Sequence, residues 1–505
     1  MNTFHSTRGV NDAINGEALR STALSAKQAI RRGLAEDGGL FVTDALGERT
    51  VDVAALVGKS YQEIAAAVLG ALLDDFGEDE LAQCIAEAYG SQWSDAAITP
   101  LKPLGDDYVL ELFNGPTCAF KDVALQILPR FMARTTPAGG DAQEKIMILT
   151  ATSGDTGKAA LAGFADAPGT GITVFYPEGK VSEIQQLQMT TQAGSNVNVC
   201  AVRGNFDDAQ SAVKELFSDT ELANELGQKH HVVLSSANSI NVGRLVPQVV
   251  YYFSAYVQLV ERGAITLGDG VEFCVPTGNF GDVLAGYYAK LLGLPVKHLI
   301  VASDKNNVLF DFLTTGTYNR QRPFYQTISP SMDILVSSNL ERMLYYMADK
   351  DPRLIQMLMS DLKEWGAFEV PEPLLAKIRT LFGTGWADEN QVREAIHDCW
   401  ESNNYVIDPH TACGYFVMQR MPRDPAVPRV LLSTASPYKF PRVVDESLGL
   451  DASGSDFDCM DTLATATGTT APKSLRDLEH AQPRFDGAID IDAMRDAVKD
   501  AAAKL

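Results

Sequence analysis

The 505-residue chain is 46% apolar with ordinary glycine and proline content, which excludes a disordered or collagenous polypeptide and leaves room for two or three cored domains. Its 42 basic and 65 acidic residues give a formal charge of −23, which argues against nucleic acid and anionic membrane surfaces as partners. Any anionic ligand then needs a local cationic or backbone N–H site. Residues 1–99 carry mainly helical patterning: a short helix at 26–32, a turn entering a strand at 35–42, and helical apolar spacing at 61–73 and 80–89. No residue there has an evident chemical role, and a packing domain is expected. From about residue 100, strand, turn and helix alternate. An apolar strand at 108–112 runs into the tight turn Asn114-Gly115-Pro116, followed by a helix at 123–132 that Pro129 should kink. Strands are expected at 145–152, 172–176, 196–202, 232–235, 271–275 and 298–302, with helices at 158–165, 183–193, 207–226, 243–261 and 283–292 between them. This alternation predicts an α/β fold whose parallel sheet is covered on both faces, with ligands at the carboxyl ends of the strands. Residues 319–330 read as loop, and 339–347, 354–364 and 371–381 as helices. A last strand at 429–434 leads to a turn and helix start at 437–444. Residues 448–488 are weakly patterned, and 489–505 read as a terminal surface helix.

The seven cysteines show no Cys-x-x-Cys spacing, which fits a reduced cytosol better than a disulfide framework. The first residues lack the apolar core of a signal peptide, and no uncharged apolar run approaches transmembrane length, so a cytoplasmic location is expected. The seven histidines lack ligand spacing; His230-His231, if on a strand, would point to opposite faces, and no metal is expected.

Several strand ends carry chemistry-bearing residues. Lys121 lies near a helix start beside Phe120 and a mostly apolar run. Lost hydration there favours the neutral amine, which forms imines with carbonyl compounds such as pyridoxal phosphate (PLP). A snorkelling lysine paired with Asp122 is the alternative. Gly278-Asn279-Phe280-Gly281-Asp282 joins a strand to a helix; its glycines let N–H groups turn toward an anion, although a tight turn alone would look the same. Asp282 is better suited to cap that helix than to touch phosphate. Ser153-Gly154-Asp155-Thr156-Gly157-Lys158 fails the P-loop pattern but offers hydroxyls and an acid at a helix start, or simply an N-cap. Asn241 and Arg244 follow the 232–235 strand, where Arg244 could grip an anion. His410 reads as a satisfied structural histidine, and Thr434 as a strand-end threonine.

Taken together, STRG (6–9), GLAEDGGLFV (33–42), FNGPTCAFKDVALQ (113–126), TATSGDTGKAA (150–160), NSINVGRL (238–245), VPTGNFGDVLAGYYAK (275–290), SPSMDI (329–334), DPHTA (408–412) and LSTASPYKF (432–440) resemble, in this shared order, the threonine synthases of the tryptophan-synthase-β-like, fold type II PLP enzymes. The resemblance implies a catalytic region over 100–505, with a smaller subdomain at about 140–240 and a larger one from 100–139 and 241–505. It implies that Lys121 holds PLP as a Schiff base and shuttles protons. Gly278, Asn279, Phe280, Gly281 and the position of Asp282 would form the phosphate cup, and Thr434 would meet the pyridine nitrogen. Asp155 stands where relatives often have an asparagine facing the ring hydroxyl. Ser153, Thr156, Asn241 and Arg244, with Lys158 as a weaker candidate, would contact the substrate, O-phospho-L-homoserine. Ser436 replaces a histidine frequent in the family. A monomer or homodimer is expected. Two rivals stay open: another lyase of this fold, such as a threonine or serine dehydratase, and a catalytically silent paralogue that binds a phosphorylated metabolite.

Overall fold

The computed structural model describes residues 1–9, 23–135, 144–152 and 154–505. Its apolar strand runs assemble into two sheets. The smaller is all parallel, in the order Ala488–Asp490, Val197–Arg203, Thr170–Pro177, Lys145–Ala151, Val232–Ser235. The larger has the order Phe382–Trp386, Val296–Ser303, Val271–Pro276, Arg429–Ser433, Asp107–Glu111, Leu101–Leu104, and only its last pair is antiparallel. Thr170–Pro177, Val271–Pro276 and Arg429–Ser433 are buried along their whole length, as strands covered by helices on both faces must be. The fold class read from the alternation is therefore the one observed. Arg429, inside a central strand, is tolerated because Asp107 on the neighbouring strand takes its guanidinium at 2.6 and 3.1 Å.

The N-terminal helices Ala26–Arg32, Tyr61–Leu72 and Glu78–Ala88 form as expected, and Phe4–Ser6 pairs with Phe41–Thr43. They share one continuous apolar core with the larger sheet, which runs from Phe4 to Leu432. Buried polar contacts fasten the same region: Arg8 meets Glu341 at 2.8 and 2.9 Å, and Arg342 donates to the Phe41 carbonyl at 3.0 Å.

Several elements differ from their expected form. The helix at 207–226 is two, Phe206–Ser218 and Thr220–His230, because Asp219 breaks it and caps the second through the Leu222 N–H at 2.8 Å. Pro247 divides 243–261 into Val242–Leu245, a 3-10 turn and Val249–Glu261. Pro129 likewise separates Lys121–Leu125 from Leu128–Ala133. His230 ends a helix and His231 is left-handed (φ 54°), so the pair is not on a strand. The weakly patterned stretch contains Asp456–Thr467, started by a Ser455 and Asp458 capping box. The C-terminal residues are not a surface appendage. Ala488–Asp490 is the edge strand of the smaller sheet, and Met494–Ala503 buries Met494, Val498 and Ala502 with Met147 and Phe175. The smaller unit therefore extends beyond 140–240 to recruit the last residues. Among the described residues, no helix is long and apolar enough to cross a membrane.

Candidate active site

The carboxyl ends of the two sheets face a common space, and Lys121 stands in it. Its position is fixed by two loops held edge to edge. The Phe120 N–H donates to the Thr434 carbonyl at 2.8 Å, and the Ser436 N–H donates to the Cys118 carbonyl at 3.1 Å. Asp122 folds the turn back by accepting from the Thr117 N–H (2.8 Å) and hydroxyl (2.7 Å). Gly115 is required there, since a β-carbon would strike the Asp122 side chain at 2.6 Å. From the other sheet, the helix Asp155–Phe164 comes so close that a β-carbon on Gly163 would collide with the Leu125 carbonyl. That approach brings Asp155 beside Lys121.

The Lys121 ammonium is 7% exposed, 3.0 Å from Ser331 Oγ and 3.6 Å from Asp155 Oδ2. Burial lowers its pKa to about 8; Asp155 opposes the fall, and Lys439 and Arg244 add to it. Asp155 is bound more tightly to Lys439, at 2.7 Å, and accepts from Gln185 at 3.0 Å. Burial works to raise the Asp155 carboxyl, but Lys439 and then Lys121 outweigh it and hold it far below the usual carboxylate range. Lys439 also donates to the Thr117 carbonyl at 3.0 Å. Ser331 bridges onward: its hydroxyl donates to Asp155 at 3.3 Å and its N–H to His410 Nε2 at 3.1 Å. Because Nε2 accepts, the proton sits on Nδ1, which meets Asp408 at 2.6 Å. His410 is thus the satisfied structural histidine that the sequence suggested.

Opposite lies the bend Gly278–Gly281. Phe280 is left-handed (φ 63°), and Gly281 opens the helix Gly281–Leu291. The carbonyls turn to a neighbouring loop: Gly278 accepts from the Ser337 hydroxyl at 2.8 Å, and Asn279 from the Asn339 N–H at 3.1 Å. Among the described residues, the N–H groups of Gly278, Asn279, Phe280, Gly281 and Asp282 find no acceptor. Five unpartnered donors at a helix N-terminus make a receptor for an anion. Gly278 is needed because a β-carbon would press on the backbone of Ser331 and Met332 at 3.1 Å. The Asp282 side chain takes no part in this cup. Its carboxyl accepts from Tyr251 and, at 3.2 Å, from Tyr252, and burial raises it to about 7.

The remaining candidates separate clearly. The Arg244 guanidinium is buried, gives one N–H to the Ala237 carbonyl at 2.9 Å, and leaves Nε without a partner. Burial lowers its pKa to about 10. Asn241 is spent on structure: its amide donates to the Ile30 and Ser236 carbonyls and accepts from the Gly243 N–H. It has nothing left for a substrate. Thr434 uses its backbone on both sides, while its hydroxyl has no bond to a described residue. Thr156 is half-buried in the first turn after Asp155. Lys158 donates to Gln192 at 2.5 Å, and burial lowers it to about 8. Ser153 lies outside the described residues. Sequence reasoning gave no role to Ser331, Lys439 or Gln185, although the first two sit in the SPSMDI and LSTASPYKF segments. Among the described residues no group of three or more His, Cys, Asp or Glu side chains could hold a metal ion.

Family models place this geometry. "Threonine synthase N terminus" matches residues 3–89, "Pyridoxal-phosphate dependent enzyme" residues 99–356, and "Threonine synthase, C-terminal" residues 411–500. A threonine synthase of Pseudomonas aeruginosa is 38% identical over 88% of this chain and 90% of its own length. The chain belongs to the threonine synthase family. The crystal structure of PLP-bound threonine synthase from Brucella melitensis superposes with a TM-score of 0.86 at 36% identity, covering 99% of this chain and all of that one. Human threonine synthase-like 1 is 40% identical over 88% of this chain, which spans 61% of that protein's length. The family's cofactor is pyridoxal phosphate, and the donor set fits it: a buried amine of lowered basicity, a cup of free N–H groups and an unengaged threonine hydroxyl. Membership brings the two-sheet α/β fold and the cofactor; the reaction is a separate question.

Proposed function

We propose that this member of the family is a threonine synthase, converting O-phospho-L-homoserine and water to L-threonine and phosphate. The observation that carries the reading is Arg244. It is a buried guanidinium with an unpartnered Nε and no carboxylate partner among the described residues, carried by Val242–Leu245 rather than by the 278–282 bend. One anion receptor suffices for a cofactor phosphate; a second suits a substrate that carries its own. Serine and threonine bring one anionic group, the α-carboxylate, whereas phosphohomoserine adds a phosphate that a buried guanidinium without a carboxylate partner suits well.

Lys121 would hold the cofactor's carbonyl, the N–H groups of Gly278 to Asp282 its phosphate, and Thr434 its ring nitrogen. When bound, the cofactor supplies a sink for the negative charge that develops at the substrate α-carbon. Lys121 takes the Cα proton; near neutral pH a useful fraction of its amine is free to do so. Asp155 and Lys439 form a closed ion pair that keeps charge balance while that proton moves. A second proton leaves Cβ, and phosphate departs from Cγ as Arg244 stabilises its growing charge. A proton returns to Cγ, water adds its oxygen at Cβ and releases a proton, and Lys121 gives a proton back to Cα to complete threonine. Burial of Lys121, Asp155 and Arg244 keeps stray water from diverting the reaction.

Phosphate release and product analysis test this. Phosphohomoserine should yield equimolar phosphate and threonine, and serine or threonine should yield no keto acid. Keto acid from serine or threonine, with no threonine from phosphohomoserine, would make the protein a dehydratase. A preparation that gains no absorbance band with PLP would mark it as catalytically silent.

A further inference from the structure

A cavity of about 890 Å³ lies behind the loops that carry Lys121, and the reaction above does not use it. Neither Lys121, Asp155, Gly278, Arg244 nor Thr434 lines it. Cys118 and Ser436 do, and they belong to the pair of segments 118–120 and 434–436 that hold Lys121 on their other side. This pair is a partition between the two spaces.

The lining is mixed, with four aromatic rings among polar residues, and the polar tips of three of those rings are already engaged. The Trp93 indole donates to the Ala88 carbonyl at 2.8 Å, Tyr405 to Glu111 at 2.9 Å, and Tyr438 shares a hydrogen with Thr469 at 2.7 Å. With Phe113, these rings offer apolar and π surface. The cation at the rim, Lys473, is taken by Asp477 at 2.5 Å. Glu111 is different. Among the described residues its carboxylate has only neutral partners, Tyr405 and, at 3.5 Å, Asn114. Among the described residues, Glu111 is the lining carboxylate without a cationic partner.

We infer that the cavity is a second binding site, for an organic ammonium ion with an apolar body, its charge on Glu111 and its body among the rings of Trp93, Phe113, Tyr405 and Tyr438. Carboxylate and aromatic faces together select ammonium over neutral or anionic ligands. Thr117, between the lining residues Pro116 and Cys118, gives its carbonyl to Lys439 at 3.0 Å, and Lys439 in turn holds Asp155. An amine and an amino acid share the head group and differ in the carboxylate.

Calorimetric titration of the PLP-loaded protein tests the assignment, with phenethylamine, L-phenylalanine and 3-phenylpropionate as probes. Saturable binding of the first two, with 3-phenylpropionate at least about tenfold weaker, is expected. The tighter of the two ammonium probes tells an amine site from an amino-acid site. Glu111→Gln keeps the neutral hydrogen bonds and should weaken both by about tenfold or more. Thr470→Trp, at the exposed mouth, should block both. Turnover of both variants should match the parent, since neither side chain touches the catalytic machinery. The inference is overturned if 3-phenylpropionate binds as well as phenethylamine, if both variants bind unchanged, if phosphohomoserine displaces the probe competitively, or if no probe binds at millimolar concentration. The binding outcomes for the three probes and the two variants do not depend on which substrate the active site turns over.

Discussion

Two buried aspartates begin helices at the rims of the two sheets, and the pKa values of their carboxyls are shifted in opposite directions. Asp155 opens Asp155–Phe164 on the smaller sheet, between Lys439 at 2.7 Å and Lys121 at 3.6 Å. Asp282 sits in the first turn of Gly281–Leu291 on the larger sheet and faces two tyrosine hydroxyls. Burial pushes both carboxyls upward. Two ammonium groups reverse that push for Asp155, and neutral phenols leave Asp282 at about 7. Partners, not depth, decide the charge state. The consequence is a division of labour. The smaller rim sets a permanent anion beside the reactive amine. The larger rim raises its acid to about 7, so that it sheds part of its charge near neutral pH beside the N–H cup proposed for phosphate, where a second negative charge would repel the guest.

The contrast can be broken at several points. Lys121→Ala should have the largest effect, a loss of turnover of ~10³-fold or more together with the visible band of bound PLP. Spectra of the purified variant check this, and retention of both would remove Lys121 from the site. Asp155→Asn strands Lys439 without its counter-ion and should cost about 3–5 kcal/mol in denaturant unfolding. Because the folded pKa of Asp155 is depressed, its contribution is complete above the ordinary carboxylate range and fades only as acid protonates it. The same change removes the field that supports the Lys121 ammonium, so the pH midpoint for capture of PLP by the apoprotein should move below about 8. Arg244→Gln should lower kcat/KM for phosphohomoserine by about 10²-fold while the PLP band persists. Equal loss of PLP affinity would place Arg244 in the cofactor cup instead.

Asp282→Asn tests the other side of the comparison. The carboxyl titrates at 3.8 when free and about 7 in the fold, so wild-type stability should fall as pH rises from 4 to 7 and level off above. The variant lacks that fall and should be more stable at pH 8 by roughly 2 kcal/mol, a gap that narrows toward pH 4. Asn279→Ala should do least. Among the described residues its side chain bonds only to Ser338, at 3.3 Å, and the proposed cup offers backbone N–H groups, so PLP affinity should change by about twofold or less.

What could be read from the sequence follows the same physics. Strands buried on both faces leave continuous apolar runs, so 145–152, 271–275 and 429–434 were legible almost to the residue. Breaks inside amphipathic stretches were not, because Asp219 and Pro247 interrupt a pattern without disturbing its apolar spacing. Lys121 could be singled out because a lysine in an apolar run is locally anomalous. Lys439 and Ser331 could not, since their importance lies in contacts with residues far away in the chain. The same distance hid the true state of Asn241, whose partner is the carbonyl of Ile30. The terminal helix misled for a related reason: an amphipathic stripe does not say which surface it will cover, and here that surface is the smaller sheet.

The edge strand Ala488–Asp490 pairs with Val197–Arg203, and the helix after it packs over Phe175. During translation, the small sheet must therefore wait, with one edge unsatisfied, until Ala488–Asp490 and the helix after it have left the ribosome. Premature termination upstream of Ala488 would yield a product with an intact Lys121 and an exposed β-edge, a species destined for self-association or degradation rather than partial activity.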